Sequence, residues 1–145
     1  MTAFQTSPLG AAQESHGPLR VAVAKTDGTL VMESWTREED GTTLTQMQQA
    51  VGGLIDVVGL TEDAAMIVRD DGAVTCPPNL VASAIATALG RTQPVYFGDA
   101  VFVGGTDRAG NDLDVPAWLV TILGDVAGIV RPLLMSADAT DENRP

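Results

Sequence analysis

The sequence predicts an α+β fold, with helices packed on one mainly antiparallel sheet in the order β-β-α-β-β-β-α-β-α. Short apolar runs alternate with period two, and pairs of these runs flank Asp-Gly turns at residues 26–28 and 70–72. Strands that are joined by such short turns pair antiparallel. Three further stretches carry apolar residues three, four and seven positions apart, which is the spacing of one helix face.

The first strands are defined by alternation and the first helix by its end signals. In residues 20–25 and 29–35, successive side chains alternate between the two faces of a strand, and this pattern predicts a hairpin. Thr43 precedes Gln46 by three residues, which is the spacing of a capping box at a helix start. Gly52 ends this helix, because glycine readily adopts the left-handed conformation that closes many helices.

The middle of the chain predicts three strands and a second helix. Residues 54–60 and 64–69 are rich in β-branched side chains, and residues 73–76 follow an Asp-Asp-Gly turn as a return strand. Asn79 is a good N-cap for the second helix. Gly90 stands just past the end of that helix, where glycine is common.

The last third predicts one strand and a final helix. Residues 95–103 are the most β-prone run, and the Gly98-Asp99 pair inside it predicts a bulge or a kink. Asp114 is placed to cap the last helix. Pro132 ends that helix, because proline cannot donate a helical hydrogen bond.

The apolar pattern also predicts the core. All helices are expected on one face of the sheet, as is common in α+β folds. The residues expected to be buried are Val21, Val23, Met47, Val51, Ile55, Val57, Ile67, Ile85, Leu89, Val101, Val103, Leu119 and Ile122.

Length and composition exclude several classes of protein. The 145 residues fit one domain, expected over residues 19–135 between a disordered arm (1–18) and a disordered acidic tail (136–145). Eight basic residues against 19 acidic ones give a formal charge of −11, which argues against direct nucleic-acid binding. One cysteine and one histidine exclude a disulfide framework, a thiolate zinc site and a multi-histidine metal centre.

The sequence favours a cytoplasmic protein that does not bind a membrane. Residues 115–135 are the most apolar stretch, but they contain Asp125, Arg131 and Pro132, which disfavour a membrane span. The N-terminus lacks the basic start and apolar core of a secretory signal. A free Cys76 suits a reducing compartment.

An ordered set of short motifs runs between Val21 and Leu119. It comprises MQQAVGG from Met47, RDDG from Arg69, PPN from Pro77 and GDAVFVG from Gly98. In order and spacing, this set resembles a domain-of-unknown-function family, number 3846, whose small members occur in actinobacteria, other bacteria, plasmids and phages. The resemblance implies an accessory protein of a mobile element, and it assigns no activity, cofactor or catalytic residue.

Three arginines are the candidate ligand-binding residues. Arg69, Arg91 and Arg108 each flank a predicted turn, and guanidinium groups that converge can hold an anionic ligand through charged hydrogen bonds. The competing interpretation is that these arginines lie on the surface and balance acidic neighbours.

The acidic loop at residues 107–114 is not predicted to bind a metal. Asp107, Asn111, Asp112 and Asp114 supply oxygen ligands, but their spacing is not that of a calcium loop and no bidentate glutamate follows. A solvated, turn-forming loop explains these residues.

No catalytic site and no cofactor is predicted. Cys76 would need a base, and the only histidine, His16, lies in the predicted arm. The same objection applies to a Ser-His-Asp triad. The paired carboxylates lie at turns, where they are solvated, whereas acid–base catalysis uses carboxylates perturbed by burial. We therefore expect that the protein is not an enzyme.

The last helix is predicted to form a homodimer contact, because it is apolar on more than one face. Trp118 and Leu123 are expected on the outer face, and Gly124 and Gly128 would let two helices approach closely. The alternative is that both faces are covered within one chain, with residues 133–135 folding back over Trp118.

These observations favour a non-enzymatic accessory or regulatory domain that acts by binding a protein or a small anionic ligand. The alternative is an anti-defence decoy or sponge, which captures a signalling nucleotide or a host DNA-binding enzyme. An acidic surface can imitate DNA, but the carboxylates of this chain are scattered over turns instead of forming one long stripe.

Overall fold

A five-stranded sheet forms the centre of the fold. A computed structural model describes residues 17–142, and the side chains of residues 17–136. The strands are β1 (Leu19–Ala24), β2 (Leu30–Trp35), β3 (Ile55–Thr61), β4 (Ala64–Arg69), β5 (Pro78–Asn79), β6 (Tyr96–Phe97) and β7 (Ala100–Gly104). The helices are α1 (Leu44–Val51), α2 (Gly72–Thr75), α3 (Leu80–Ala88) and α4 (Ala117–Glu142).

The strand order confirms the α+β prediction. The main sheet runs β2-β1-β7-β4-β3 with every neighbouring pair antiparallel, while β5 and β6 form a small separate sheet. The strand β7, late in the chain, thus lies between the two hairpins β1–β2 and β3–β4. The predicted kink is confirmed: Gly98, with a φ of 84°, separates β6 from β7.

Helices cover both faces of the sheet. Along β1, Val21 and Val23 face α1, whereas Ala22 and Ala24 face the opposite core, formed with α3 and α4. The expectation that all helices lie on one face is therefore wrong. The inner strands β1, β7 and β4 are apolar on both faces, so each face needs its own cover.

Burial confirms most of the predicted core. Nine predicted core residues are buried: Val21, Val23, Met47, Val51, Ile67, Ile85, Val101, Val103 and Leu119. Three are half-buried: Ile55, Leu89 and Ile122. The prediction for Val57 is wrong, because this side chain is 59% exposed. The eight-residue helix α1 is only about 12 Å long, and it leaves this part of the edge strand β3 uncovered.

The predicted return strand at residues 73–76 is wrong. The chain forms the short helix α2 there instead. The strand β4 already pairs with β3 on one side and with β7 on the other, so no free edge remains for a return strand. Gly72 packs directly against the backbone of β6, where a Cβ atom would lie 2.8 Å from the carbonyl oxygen of Phe97.

The predicted end of the last helix is also wrong. The helix α4 continues through Pro132 to Glu142, so residues 136–142 are helical where an irregular tail was expected. Proline in a helix deprives the carbonyl four residues earlier of its donor. That carbonyl belongs to Gly128, which is exposed, so water can satisfy it. Residues 1–16 of the predicted arm and residues 143–145 of the predicted tail lie outside the described residues.

Three helix ends are confirmed. The side chain of Asn79 caps α3 by accepting the backbone N–H of Ala82 at 2.9 Å. Gly52 and Gly90 follow α1 and α3 with φ angles of 82° and 96°, as their positions predict.

Two predicted caps are wrong. The hydroxyl of Thr43 makes no hydrogen bond among the described residues, and the Gln46 side chain donates to the carbonyl of Thr36 instead. Asp114 does not cap α4, because its carboxylate accepts the backbone N–H of Arg20 and thereby fixes the start of β1. The side chains of Gln46 and Asp114 each bond to a more distant part of the backbone than the local pattern indicates.

Part of α4 has the length and composition of a membrane-spanning helix. This segment is Ala117–Ser136, with a mean hydropathy of 1.6, and 17% of it is buried in the fold. A helix that packs one face on a protein core can meet the same criterion. In this fold, Leu119, Leu123 and Ala127 belong to the core that α4 shares with α3 and the sheet.

Candidate functional site

A cavity of about 260 Å³ brings together two of the three candidate arginines. It lies where β4 ends, between β3, α2 and the segment that follows α3. Its lining residues are Asp56, Val57, Val58, Val68, Arg69, Asp70, Gly72, Ala73, Arg91, Gln93, Tyr96 and Phe97. We call this cavity the arginine pocket.

Arg69 is held in place by its own turn and by a glycine pair. Its Nε donates to the carboxylate of Asp71 at 2.5 Å, and this hydrogen bond raises the pKa of the guanidinium. The side chain runs across Gly53, where a Cβ atom would lie 2.7 Å from the same Nε. The glycine pair after α1 therefore ends that helix and also makes room for the arginine.

Arg91 is positioned by the end of α3. The N–H of Arg91 donates to the carbonyl of Ala86, and the N–H of Gly90 donates to that of Thr87. This is a Schellman motif, and it turns the chain sharply after the last helical residue. Arg91 is exposed, and no ion pair holds its guanidinium among the described residues.

Aromatic residues of β6 line the inner part of the arginine pocket. Tyr96 is buried, and its N–H donates to the hydroxyl of Ser83 on α3. Phe97 is half-buried and packs near Gly72. Sequence reasoning assigned these residues only to a strand, because nothing local shows that β6 leaves the main sheet.

Carboxylates also line the pocket and limit what it can hold. Asp56 on β3 and Asp70 after β4 both reach it. Two arginines and two aspartates thus line the same pocket, and sequence reasoning missed the contribution of Asp56. Such a site suits a small polar molecule that carries an anionic group and also has donors of its own.

The elements that build the pocket, from β3 to β6, lie inside one region of family similarity. A model of the family described as "Domain of unknown function (DUF3846)" matches residues 19–126. The chain belongs to this family. The match spans the whole sheet and the first part of α4. The comparisons found no matching curated protein and no matching solved structure.

The third candidate arginine of this DUF3846 member lies elsewhere. Arg108 lies in a tight loop, where the carboxylate of Asp107 accepts the N–H groups of Ala109 and Asn111. A bridge between Thr106 and Asp112 closes this loop. Arg108 does not line the arginine pocket.

Calcium is expected to leave the melting temperature of the protein unchanged. Asp107 already accepts two backbone N–H groups and Asp114 accepts that of Arg20, while burial raises the pKa of Asp112. A ligand present at 100 times its dissociation constant would add about 2.7 kcal/mol of stability. Thermal unfolding with calcium and with a chelator measures the effect, and a rise of several degrees with calcium would contradict this prediction.

The predicted interface residues of α4 do not share one face. Trp118 is partly exposed and donates its indole N–H to the carboxylate of Asp63. Gly124 and Gly128 are exposed, as expected. The placement of Leu123 on the outer face is wrong, because this side chain is fully buried in the core with α3. The rotation of α4 is set by its non-local packing, which a helical pattern does not reveal.

Proposed function

We propose that this domain is a non-enzymatic accessory protein that binds a small ligand with an anionic group in the arginine pocket. The observation that carries the proposal is the convergence of Arg69 and Arg91, which are 22 residues apart in the chain, on one cavity. Both residues line this cavity, and arginine side chains directed into it would provide paired donors for a phosphate or carboxylate group.

The charges around the pocket make the anionic group dock mainly on Arg91. Asp71 already holds the Nε of Arg69, so this arginine contributes only its remaining donors. Arg91 is exposed and faces the same cavity without such a partner among the described residues. Asp56 and Asp70 repel a bare polyanion and favour a ligand that donates hydrogen bonds to them.

Binding without catalysis fits the side chains around the cavity. The described residues that line the cavity include no serine, cysteine or histidine. His16 lies outside the described residues, and Cys76 contacts the backbone region of Gly98. We place the protein in the cytoplasm as an accessory factor of a mobile element, as its family resemblance implies.

A signalling nucleotide is the second candidate ligand, in which case the domain acts as a sponge. Tyr96 and Phe97 line the same cavity as the arginines. Aromatic side chains stack on nucleobases, while arginines hold the phosphate. The volume of about 260 Å³ lies just below the usual range for small-molecule pockets, so the pocket can hold at most one nucleotide unit and not a dinucleotide.

Titration with inorganic phosphate and with adenosine monophosphate tests the proposal. We expect each to raise the melting temperature, and calorimetry to show a dissociation constant that Arg91→Ala weakens by about tenfold or more, since hydrogen bonds to charged groups contribute about 1.5–3 kcal/mol. Tighter binding of the monophosphate than of phosphate supports the sponge.

Arg108→Ala is the matched control, because it removes the same charge outside the pocket. It should bind both probes like the unmodified protein. No binding of either probe, or equal binding by the Arg91→Ala variant, would refute a ligand site at the arginine pocket.

A further inference from the structure

A second and larger cavity lies on the opposite side of the fold from α1. It has a volume of about 890 Å³ and runs between the β1–β2 turn and the second half of α4. Its main lining residues are Gly28, Leu30, Gly124, Gly128, Arg131 and Met135. We call it the α4 groove, and it is separate from the arginine pocket.

The β1–β2 turn forms one wall of the groove by touching α4 directly. Gly28 has a φ of 88°, and a Cβ atom there would lie 3.0 Å from the Cα of Arg131. Apolar side chains of α4 are exposed at the groove and next to it. Met135, which lines the groove, is 59% exposed, and Ile129 and Leu133, which lie outside its lining, are 66% and 65% exposed. Such a cluster of apolar side chains on a surface helix usually marks a contact with a partner.

The backbone of α4 is accessible along the groove. A Cβ atom added at Gly124 or at Gly128 would have no neighbour within 4 Å. Among the described residues, these glycines therefore serve no close packing. They lower the helix propensity of α4 by about 1 kcal/mol each relative to alanine. A helix from another molecule could approach the backbone closely at both positions.

The two charges of α4 beside the groove are arranged symmetrically about Gly128, and Asp27 of the β1–β2 turn also lies near Arg131. Asp125 lies three residues before Gly128, and Arg131 lies three residues after it. Both side chains are exposed, and neither takes part in an ion pair among the described residues. These are also the charges nearest to Gly128 on the helix.

We propose that the α4 groove binds a second copy of this chain, with the two α4 helices antiparallel and crossing at Gly128. A two-fold axis at that residue brings Asp125 opposite Arg131 of the partner subunit, and the reverse pair forms by symmetry. The same axis places Gly124 opposite the partner's Pro132, so that a residue without a side chain receives a bulky ring. This interface uses neither Arg69 nor Arg91. The proposal of a dimer is therefore independent of whether a ligand binds in the arginine pocket.

Sedimentation of charge-reversal variants tests the interface. We expect a species of twice the monomer mass of 15.1 kDa at micromolar concentration. Asp125→Arg and Arg131→Asp should each weaken dimerisation by at least about tenfold, because each places two like-charged pairs across the axis. The variant with both substitutions should dimerise like the unmodified protein, since the pairs are re-formed with their signs exchanged.

Two controls separate the interface from the fold. Gly128→Leu should abolish the dimer without lowering the melting temperature at dilute concentration, because the space above Gly128 is open and leucine is the better helix former. Glu39→Arg makes the same change in net charge as Asp125→Arg at an exposed turn, and it should leave the dimer intact.

Three results would overturn the proposal. One is a monomer at every concentration tested, and another is a double variant that dimerises no better than the single ones. The third is a monomeric protein that sediments with phosphatidylglycerol–phosphatidylcholine vesicles through α4, which would identify a membrane as the occupant of this face.

Discussion

Leu123→Glu is expected to unfold the domain. The side chain of Leu123 has no exposed surface and packs in the core between α4 and α3. The substitution removes a buried apolar side chain and forces a carboxylate into the same space. We expect a loss of more than about 4 kcal/mol, against a total stability of about 5–15 kcal/mol for a typical domain. Urea unfolding followed by circular dichroism measures it.

Leu133→Glu is the matched control for this prediction. It places the same charge ten residues later on the same helix, where the side chain is 65% exposed. The stability of the monomer should then change by no more than about 0.5 kcal/mol. If Leu123→Glu kept the unfolding midpoint of the unmodified protein, the rotation of α4 in this structure would be wrong.

Asn79→Ala is expected to lower the free energy of unfolding by about 4 kcal/mol. The buried amide of Asn79 donates to the carbonyls of Ala24 and Gly98, and its oxygen accepts the N–H of Ala82. One side chain thus ties the end of β1, the kink before β7 and the start of α3 together. Leaving a buried polar group without its partner costs about 1–3 kcal/mol, and the substitution affects three such groups.

Asn79→Asp separates the contribution of the hydrogen bonds to stability from that of the side-chain volume, because it changes the first and keeps the second. The carboxylate still accepts the N–H of Ala82, but it faces the carbonyls of Ala24 and Gly98 without a proton to donate. Burial and the two facing carbonyls raise the pKa of this carboxyl above that in the unfolded chain, and they outweigh the N–H of Ala82, which lowers it. The deficit relative to the unmodified protein should therefore be largest at neutral pH and shrink as the pH falls through the raised pKa. Urea midpoints across this range measure the trend, and a loss below 1 kcal/mol for Asn79→Ala would contradict this assignment.

Local patterns in the sequence predicted what depends on near neighbours. The β1–β2 hairpin follows from alternation and an Asp-Gly turn, and the start of α3 follows from an asparagine that can cap it. The prediction of a return strand at residues 73–76 failed because β7 occupies the edge of β4 with which that strand would pair. The strand β7 lies about 25 residues later in the chain, so a local pattern does not reveal it.

The arginine pocket was predictable in part for the same reason. Arg69 and Arg91 follow turns whose glycines and carboxylates are visible in the sequence. Nothing local indicates that these two turns meet and that the turn with Arg108 lies apart, because that depends on the sheet order. Leu123 was assigned to the wrong face of α4 because this helix is apolar on several faces. Which of them is buried depends on the elements that pack against the helix.

The central position of β7 determines when the protein can become folded during synthesis. The hairpins β1–β2 and β3–β4 share no strand pairing, and they join only through a segment that ends at Gly104. A nascent chain that stops short of this segment holds two hairpins, each marginally stable alone and each with an unpaired inner strand. Until β7 is synthesised, the nascent chain therefore exposes two unpaired strand edges at once, and such edges are sites at which chains aggregate.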